Sequence, residues 1–271
     1  MARMQKSSKG AIEAKQFGRL TGGQIEFAVE TRRRYAKLLE QALPDLLRSK
    51  MAANVEAEFG PITWAWVYDL PYVAALALMV ITLGLDEDLR EAVKQENPTA
   101  AALESVRREL ESEEIEVPEG AAMDALRIAL LVAWHFNDRA ILDYSLSMNS
   151  LIAKGQAGDD QGFISAISID PTAASSKAFT YRLGHAKIFG QHGFLKRYRA
   201  ALKGPHVARR GYRLLRWTDF LLRDIEAGST ATAAEIYDLV SGVLNQYSDR
   251  GKDPVKGLQS RRDEWKKEAT S

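Results

Sequence analysis

The sequence predicts an all-α protein of about ten helices, packed as a bundle or a short irregular array. Three observations support this fold class: prolines placed at helix starts, apolar residues at helical spacing, and few strand signals. The 271 residues, 46% of them hydrophobic and 27% charged, suffice to bury a substantial core. The absence of cysteine excludes a disulfide framework, a zinc finger, an iron–sulfur site and a cysteine nucleophile, and it favours a cytoplasmic location.

Helix starts are marked by prolines. Five of the eight prolines follow a residue that caps helices, which places proline at the first helical position, where its missing N–H costs nothing. The pairs are Gly60-Pro61, Asn97-Pro98, Asp170-Pro171, Gly204-Pro205 and Asp253-Pro254. Thr232 and Glu235 have the spacing of a capping box and predict one more start.

Apolar spacing predicts what lies between these starts. Residues 121–136 place Ala122, Leu126, Ala129 and Ala133 on one helical face. Residues 163–169 (FISAISI) fit a strand or a helix. The apolar segment 62–85 has an uninterrupted part of 15 residues, shorter than the roughly 20 that a bilayer crossing needs. We therefore expect a buried helix there and no membrane span.

The middle of the chain shows a weak internal repeat. A displacement of 35 residues superimposes Gly155 on Gly190 and Gly158 on Gly193, with apolar residues matching on both sides. This pattern predicts a possible repeat of two helical hairpins, each with a glycine turn.

The chain divides, on composition, into a flexible basic tail at 1–20, an N-terminal helical region at 21–115 and a C-terminal helical region at 116–271 with a basic surface. The two helical regions could also form one continuous domain. The first ten residues lack the apolar stretch of an export signal.

Charge is distributed unevenly, although the net charge is only +1. Residues 171–218 contain eleven Lys or Arg and no Asp or Glu, whereas residues 86–119 contain twelve acidic residues and four basic ones. This asymmetry favours either a polyanionic partner or a match between the positive and negative surfaces, within one subunit or between two.

The basic segment predicts a candidate nucleic-acid site. A helix begun at Pro205 would align four arginines along an exposed ridge that no neighbouring carboxylate neutralises, namely Arg209, Arg213, Arg216 and Arg223. Guanidinium groups bind phosphate bidentately. The predicted site comprises Lys196, Arg197, Arg199, Lys203, Arg209, Arg213, Arg216 and Arg223. Aromatic residues between these charges would either stack on bases or belong to the core. The alternative is that the cations solvate a helix face or pair with the acidic stretch.

Catalytic signals are weak. His135 lies three residues before Asp138, close enough for a carboxylate to orient the imidazole. A capped helix end is the commoner meaning of such a pair. Nucleotide, metalloprotease and serine-hydrolase motifs are absent from the sequence. No carboxylate accompanies His185 and His192, so we expect no metal site and no cofactor.

The leading functional hypothesis is a non-enzymatic helical interaction or adaptor protein of the cytoplasm that binds a protein partner and self-associates, as a homo-oligomer, through complementary charge. The second is a DNA- or RNA-binding protein that uses the basic helical face at 196–223. The third is an enzyme centred on His135 and Asp138.

Overall fold

The computed structural model describes residues 14–18, 20–60, 64–70, 72–112, 119–204, 212–225, 231–248 and 251–270. The fold is all-α, as predicted, and the described residues hold somewhat more helices than the ten expected. The described strands are β1 (Gln16–Phe17) and β2 (Leu20–Thr21), which pair antiparallel. Contacts group the chain into two compact units.

The first unit combines residues 1–38, 83–117 and 211–271. It holds β1, β2 and the first part of the long helix α1 (Gly22–Leu47), whose remainder belongs to the second unit. Its other helices are α4 (Asp86–Ala92), α5 (Pro98–Ser112), α11 (Arg213–Phe220), α12 (Ala233–Tyr237) and α13 (Pro254–Thr270). Helix α11 continues as a π-helix over Leu221–Ile225, and α12 continues as one over Asp238–Val243.

The second unit combines residues 39–82 and 118–210. Its helices are α2 (Lys50–Phe59), α3 (Tyr72–Thr82), α6 (Ala121–Tyr144), α7 (Met148–Gln156), α8 (Asp160–Ile169), α9 (Lys177–Ile188) and α10 (His192–Ala201). Two short 3-10 helices cover Ala65–Asp69 and Pro171–Ser175. The two units alternate along the chain. The consecutive division into 21–115 and 116–271 stays a prediction.

Several helix starts are confirmed at the level of single hydrogen bonds. Side chains of Asn97, Asp170 and Asp253 each accept a hydrogen bond from a backbone N–H two or three residues later. Thr232 and Glu235 form the complete capping box. Pro61 and Pro205 lie outside the described residues. The ambiguous segment 163–169 is helical and forms most of α8. Across the described residues, no helix is both long and apolar enough to cross a membrane.

The two helical hairpins are present, but their register differs from the repeat in the sequence. Helices α7 and α8 form the first hairpin, and α9 and α10 form the second. The turns contain Gly158 and Gly190, both with positive φ, so the equivalent turn residues are 32 apart and not 35. Gly155 instead has a packing role, because a Cβ there would overlap the ring of Phe179.

A cluster of three aromatic side chains joins both hairpins in the core of the second unit. The ring of Phe163 in α8 lies 4.2 Å from that of Phe179 in α9 and 5.3 Å from that of Phe194 in α10, centroid to centroid. All three side chains are buried. The second hairpin is therefore anchored on the first through its apolar inner face.

A fully buried carboxylate fixes the 3-10 helix Ala65–Asp69 against the end of α8. Oδ2 of Asp170 accepts hydrogen bonds from Trp64 Nε1 (2.9 Å) and from the Tyr68 hydroxyl (2.7 Å). Its other oxygen accepts from the backbone N–H and hydroxyl of Thr172. Asp170 is thus satisfied by four donors, and burial together with this carboxylate raises the pKa of Tyr68 well above its ordinary value.

Candidate interaction surface

The C-terminal half of the predicted arginine ridge is not exposed. Residues 215–222 are all buried, so this stretch is packed on every side instead of on one stripe. Arg216 is only 4% exposed, and its guanidinium lies 5.2 Å from the ring centroid of Trp265 in α13. The expectation that Arg216 faces solvent is wrong, because α13 covers that side of α11. Arg213 is half-buried, and Arg209 lies outside the described residues.

A carboxylate in the same segment neutralises part of this ridge. Asp219 is 2% exposed, and its two oxygens lie 2.8 Å from Nε of Arg223 and 2.5 Å from Nε of Arg262. The expectation that no neighbouring carboxylate pairs with the ridge is therefore wrong as well. The missed signal is the spacing of Asp219, which precedes Arg223 by four residues and so shares its helical face.

The other half of the predicted site lies on the surface of α10. Lys196, Arg197, Arg199 and Lys203 are all exposed. Arg197 shares the carboxylate of Asp160, at 3.3 Å. Within the described residues, no carboxylate forms an ion pair with the three other cations. The structure thus keeps Lys196, Arg197, Arg199 and Lys203 exposed. It removes Arg213, Arg216 and Arg223 from the exposed set.

Three of these cations form a regular row with a histidine. His192, Lys196, Arg199 and Lys203 are exposed and follow each other at i, i+4, i+7 and i+11. The first three lie on one face of α10, and Lys203 lies in the turn that follows the helix. We call this row the cationic stripe. It lies opposite Phe194 and Ala201, the buried side of α10.

Helix α9 presents a row of apolar and aromatic side chains. Tyr181, His185, Ile188 and Phe189 follow at i, i+4, i+7 and i+8, and we call this row the apolar stripe. Tyr181, Ile188 and Phe189 are 76%, 79% and 66% exposed. The His185 ring lies between its neighbours, with its centroid 6.4 Å from that of Tyr181 and 4.4 Å from that of Phe189. The three rings therefore form a continuous column along the helix.

The aromatic residues of the basic region, whose role the sequence left open, divide between core and surface. Phe179, Phe194 and Trp217 are buried in the core. Tyr181 and Phe189 are instead the exposed aromatics. The signal available in the sequence was the four-residue step from Tyr181 to His185 and on to Phe189, opposite the buried Phe179.

Each stripe lies on the face of its helix that points away from the core. Helices α9 and α10 both pack on Phe163 through Phe179 and Phe194, and the stripes occupy the helix faces opposite these two rings. We call the two stripes together, with the exposed Leu202, the hairpin surface.

Arg182 holds the hairpin in this geometry. Its guanidinium donates to both oxygens of Asp160, at 2.8 and 2.9 Å, and to Oε1 of Gln191 in the turn, at 2.6 Å. It also lies over the ring of Phe194, 3.9 Å from the centroid. The bidentate contact and the stacking fix α9, the turn and α10 on the start of α8.

The weak catalytic candidates do not line the cavity described in the second unit. His135 is half-buried, and burial, followed by the positive charge of Arg139, lowers its pKa. Asp138 is buried in the same helix. A cavity of about 30 Å³ in the second unit is lined largely by apolar atoms, including those of Trp134 and Asn137, and neither His135 nor Asp138 lines it. Their catalytic role stays a prediction.

Neither a metal site nor a known relative indicates a function for the described residues. Among the residues that the structure describes, no group of three or more His, Asp or Glu side chains is arranged to hold a metal ion. No protein family, curated protein or solved structure shows detectable similarity to this chain. The geometry of the hairpin surface therefore carries the functional argument alone.

Proposed function

We propose that this chain is an interaction protein that binds a protein partner through the hairpin surface. The observation that carries the proposal is the apolar stripe, in which Tyr181, Ile188 and Phe189 are each at least 66% exposed on adjacent turns of one helix. Single exposed apolar side chains are common on protein surfaces, but a continuous row of them is typical of a binding site. The side of α9 that packs in the core carries Phe179, which is fully buried, whereas these three side chains lie on the opposite, solvent-facing side.

Rigidity supports the same proposal. Arg182 and the ring contacts of Phe163 fix the hairpin before any partner arrives. A preorganised surface loses less conformational entropy on binding than a surface that must first become ordered. We therefore propose that the chain acts as an adaptor through this fixed helical surface.

The test compares partner recovery by matched variants. The triple variant Tyr181→Ser, Ile188→Ser, Phe189→Ser removes the apolar stripe without touching the core. The control variant Leu38→Ser, Phe59→Ser, Val93→Ser removes three side chains of comparable exposure (56%, 56% and 61%) elsewhere. Each protein is used as bait in a nuclease-treated extract, and bound proteins are quantified by mass spectrometry. Proteins lost with the first variant and kept with the control support the proposal, whereas equal recovery with both variants overturns it.

Nucleic-acid binding is the second candidate, because residues 177–203 contain seven Lys or Arg and no acidic residue. Binding of this kind should weaken steeply with salt as counterions are released. Retention on single-stranded DNA and RNA is measured between about 50 and 500 mM salt for the wild type and for Lys196→Glu, Arg199→Glu. Equal retention by both proteins rules out this candidate.

Self-association belongs to the proposal as well. Asp88 pairs with Arg108 and Glu91 pairs with Lys94 inside the acidic stretch 86–119. The remaining excess of acidic residues in this stretch provides a complement for basic surface residues of a second copy. Sedimentation at low salt should then show a homo-oligomer that dissociates at about 0.5 M salt, and an unchanged mass contradicts the charge mechanism. The cytoplasmic location is tested by fractionation of cells that contain the tagged chain.

A further inference from the structure

We infer that the hairpin surface takes an acidic amphipathic helix of the partner protein. This inference rests on the proposed function, since it names the chemistry of the partner that the hairpin surface binds. The apolar stripe would receive the apolar side chains of that helix, and the cationic stripe would pair with its carboxylates.

The charge of the hairpin requires an acidic partner. Asp160, the acidic residue bound to this hairpin, is used by Arg182 and Arg197. Lys196, Arg199 and Lys203 keep their charge on the outer face. Complementary charge steers association and suppresses wrong partners, so a helix with like charge is rejected.

The spacing of the cations fits a helix. Within α10 the cationic stripe runs over i, i+4 and i+7, from His192 to Arg199, which corresponds to a length of about 10 Å, and Lys203 follows in the turn after the helix. A partner helix that carries Glu or Asp at the same spacing presents carboxylates with the same pitch. The apolar stripe repeats at i, i+4, i+7 and i+8, which is the anchor spacing of helix-on-helix recognition.

The aliphatic members of the surface favour a protein over a nucleic acid. Ile188 is 79% exposed and Leu202 is 43% exposed. Nucleic-acid bases stack on rings, whereas aliphatic side chains gain most when they bury apolar area against other apolar side chains. Two of the three cations in the stripe are lysines, which lack the bidentate geometry that arginine offers to phosphate.

The experiment uses the full chain and a designed peptide of about 18 residues, long enough to cover both stripes. The peptide carries Glu at i, i+4, i+7 and i+11 and Leu along the adjacent face, and its scramble has the same composition without the helical pattern. Fluorescence anisotropy at low salt measures the Kd of each peptide. We expect the patterned peptide to bind at least about 10-fold more tightly than the scramble, because only the patterned helix presents both rows at once.

Charge variants identify the contact. Lys196→Glu, Arg199→Glu should weaken binding of the patterned peptide by about 10-fold or more, since reversal of a rim charge replaces attraction with repulsion. The matched control Lys252→Glu, Lys256→Glu reverses two exposed lysines of the first unit and should leave the Kd unchanged. Equal binding of peptide and scramble, or equal effects of the two charge variants, overturns the inference.

Two further probes test other ligands on the same surface. A 20-nucleotide oligo-dT and vesicles of phosphatidylcholine with about 20% phosphatidylserine are measured under the same conditions. Tighter binding of either probe than of the patterned peptide overturns the inference in favour of a nucleic acid or a lipid surface. The proposed function fails separately, when removal of the apolar stripe leaves recovery of protein partners unchanged.

Discussion

Gly155 provides the sharpest test of the packing that supports the hairpin surface. In the variant Gly155→Ala, the new Cβ would lie against Cε1 of Phe179, 2.7 Å from its Cζ and 3.2 Å from the backbone nitrogen of Phe163. Ordinary carbon contacts are about 3.5–4.0 Å, so either the ring or the helix must move by roughly 1 Å. The Phe179 ring is fully buried and packs against Phe163, which leaves it little room to move.

The expected change in the free energy of unfolding combines two terms. Overpacking of a core costs about 1–3 kcal/mol. Alanine recovers about 0.5 kcal/mol over glycine at this position in the last turn of α7. Gly155→Ala should therefore lower the free energy of unfolding by about 0.5–2.5 kcal/mol.

Gly184 is the matched control for this prediction. It lies inside α9, and a Cβ there meets no atom within 4 Å. Gly184→Ala should raise the free energy of unfolding by about 0.5–1 kcal/mol, because only the helix preference changes. Both variants are measured by urea unfolding followed by tryptophan fluorescence and circular dichroism.

A double-mutant cycle shows whether the cause is the contact itself. Phe179→Leu removes the ring atoms that the new methyl group meets, so the double variant should lose less stability than the sum of the single variants. The packing of Gly155 against Phe179 would be refuted if Gly155→Ala had the same free energy of unfolding as the wild type. Additive losses of stability in the cycle would refute it as well.

Chemical denaturation also tests the roles of three side chains that are buried or half-buried, Asp170, Tyr68 and His135. Asp170→Ala leaves the Trp64 and Tyr68 donors without an acceptor and should lower the free energy of unfolding by about 2–4 kcal/mol. A smaller loss than the one caused by replacing an exposed aspartate would contradict the role of Asp170 as a buried acceptor. The raised pKa of Tyr68 means that the unfolded chain ionises first, so stability should fall as pH rises above about 10, and this slope should shrink in Tyr68→Phe. Because the pKa of His135 is lowered in the folded protein, the unfolded chain takes up this proton first as the pH falls. Stability should therefore fall as pH drops below about 6.5, and His135→Gln should reduce that fall. An unchanged pH profile in Tyr68→Phe or in His135→Gln disproves the assignment to that residue.

Much of the secondary structure was predictable because its signals are local. Asn97, Asp253 and the Thr232–Glu235 box each act within four residues of the helix that they start. The all-α class followed from these starts and from the helical spacing of apolar residues. The sequence also predicted two helical hairpins with glycine turns. The predicted 35-residue displacement was wrong, because Gly155 packs against Phe179 whereas Gly158 forms the turn.

The candidate site was predictable only in part. Lys196, Arg199 and Lys203 face solvent as expected, because α10 has one apolar face and one polar face. The apolar stripe of α9 was not recognised, since aromatic residues at helical spacing are usually core. Which of two aromatic rows faces inward depends on how α9 packs on Phe163.

The amino-acid sequence by itself determined where helices begin, that the fold is built from them, and that positive charge gathers after residue 171. Only the tertiary structure decided which of those charges reach solvent. Arg216 is covered by Trp265, and Asp219 pairs with Arg262, 43 residues further along the chain. Helix caps and periodicity act over a few residues, whereas burial is set by partners distant in sequence, so no local pattern reports it.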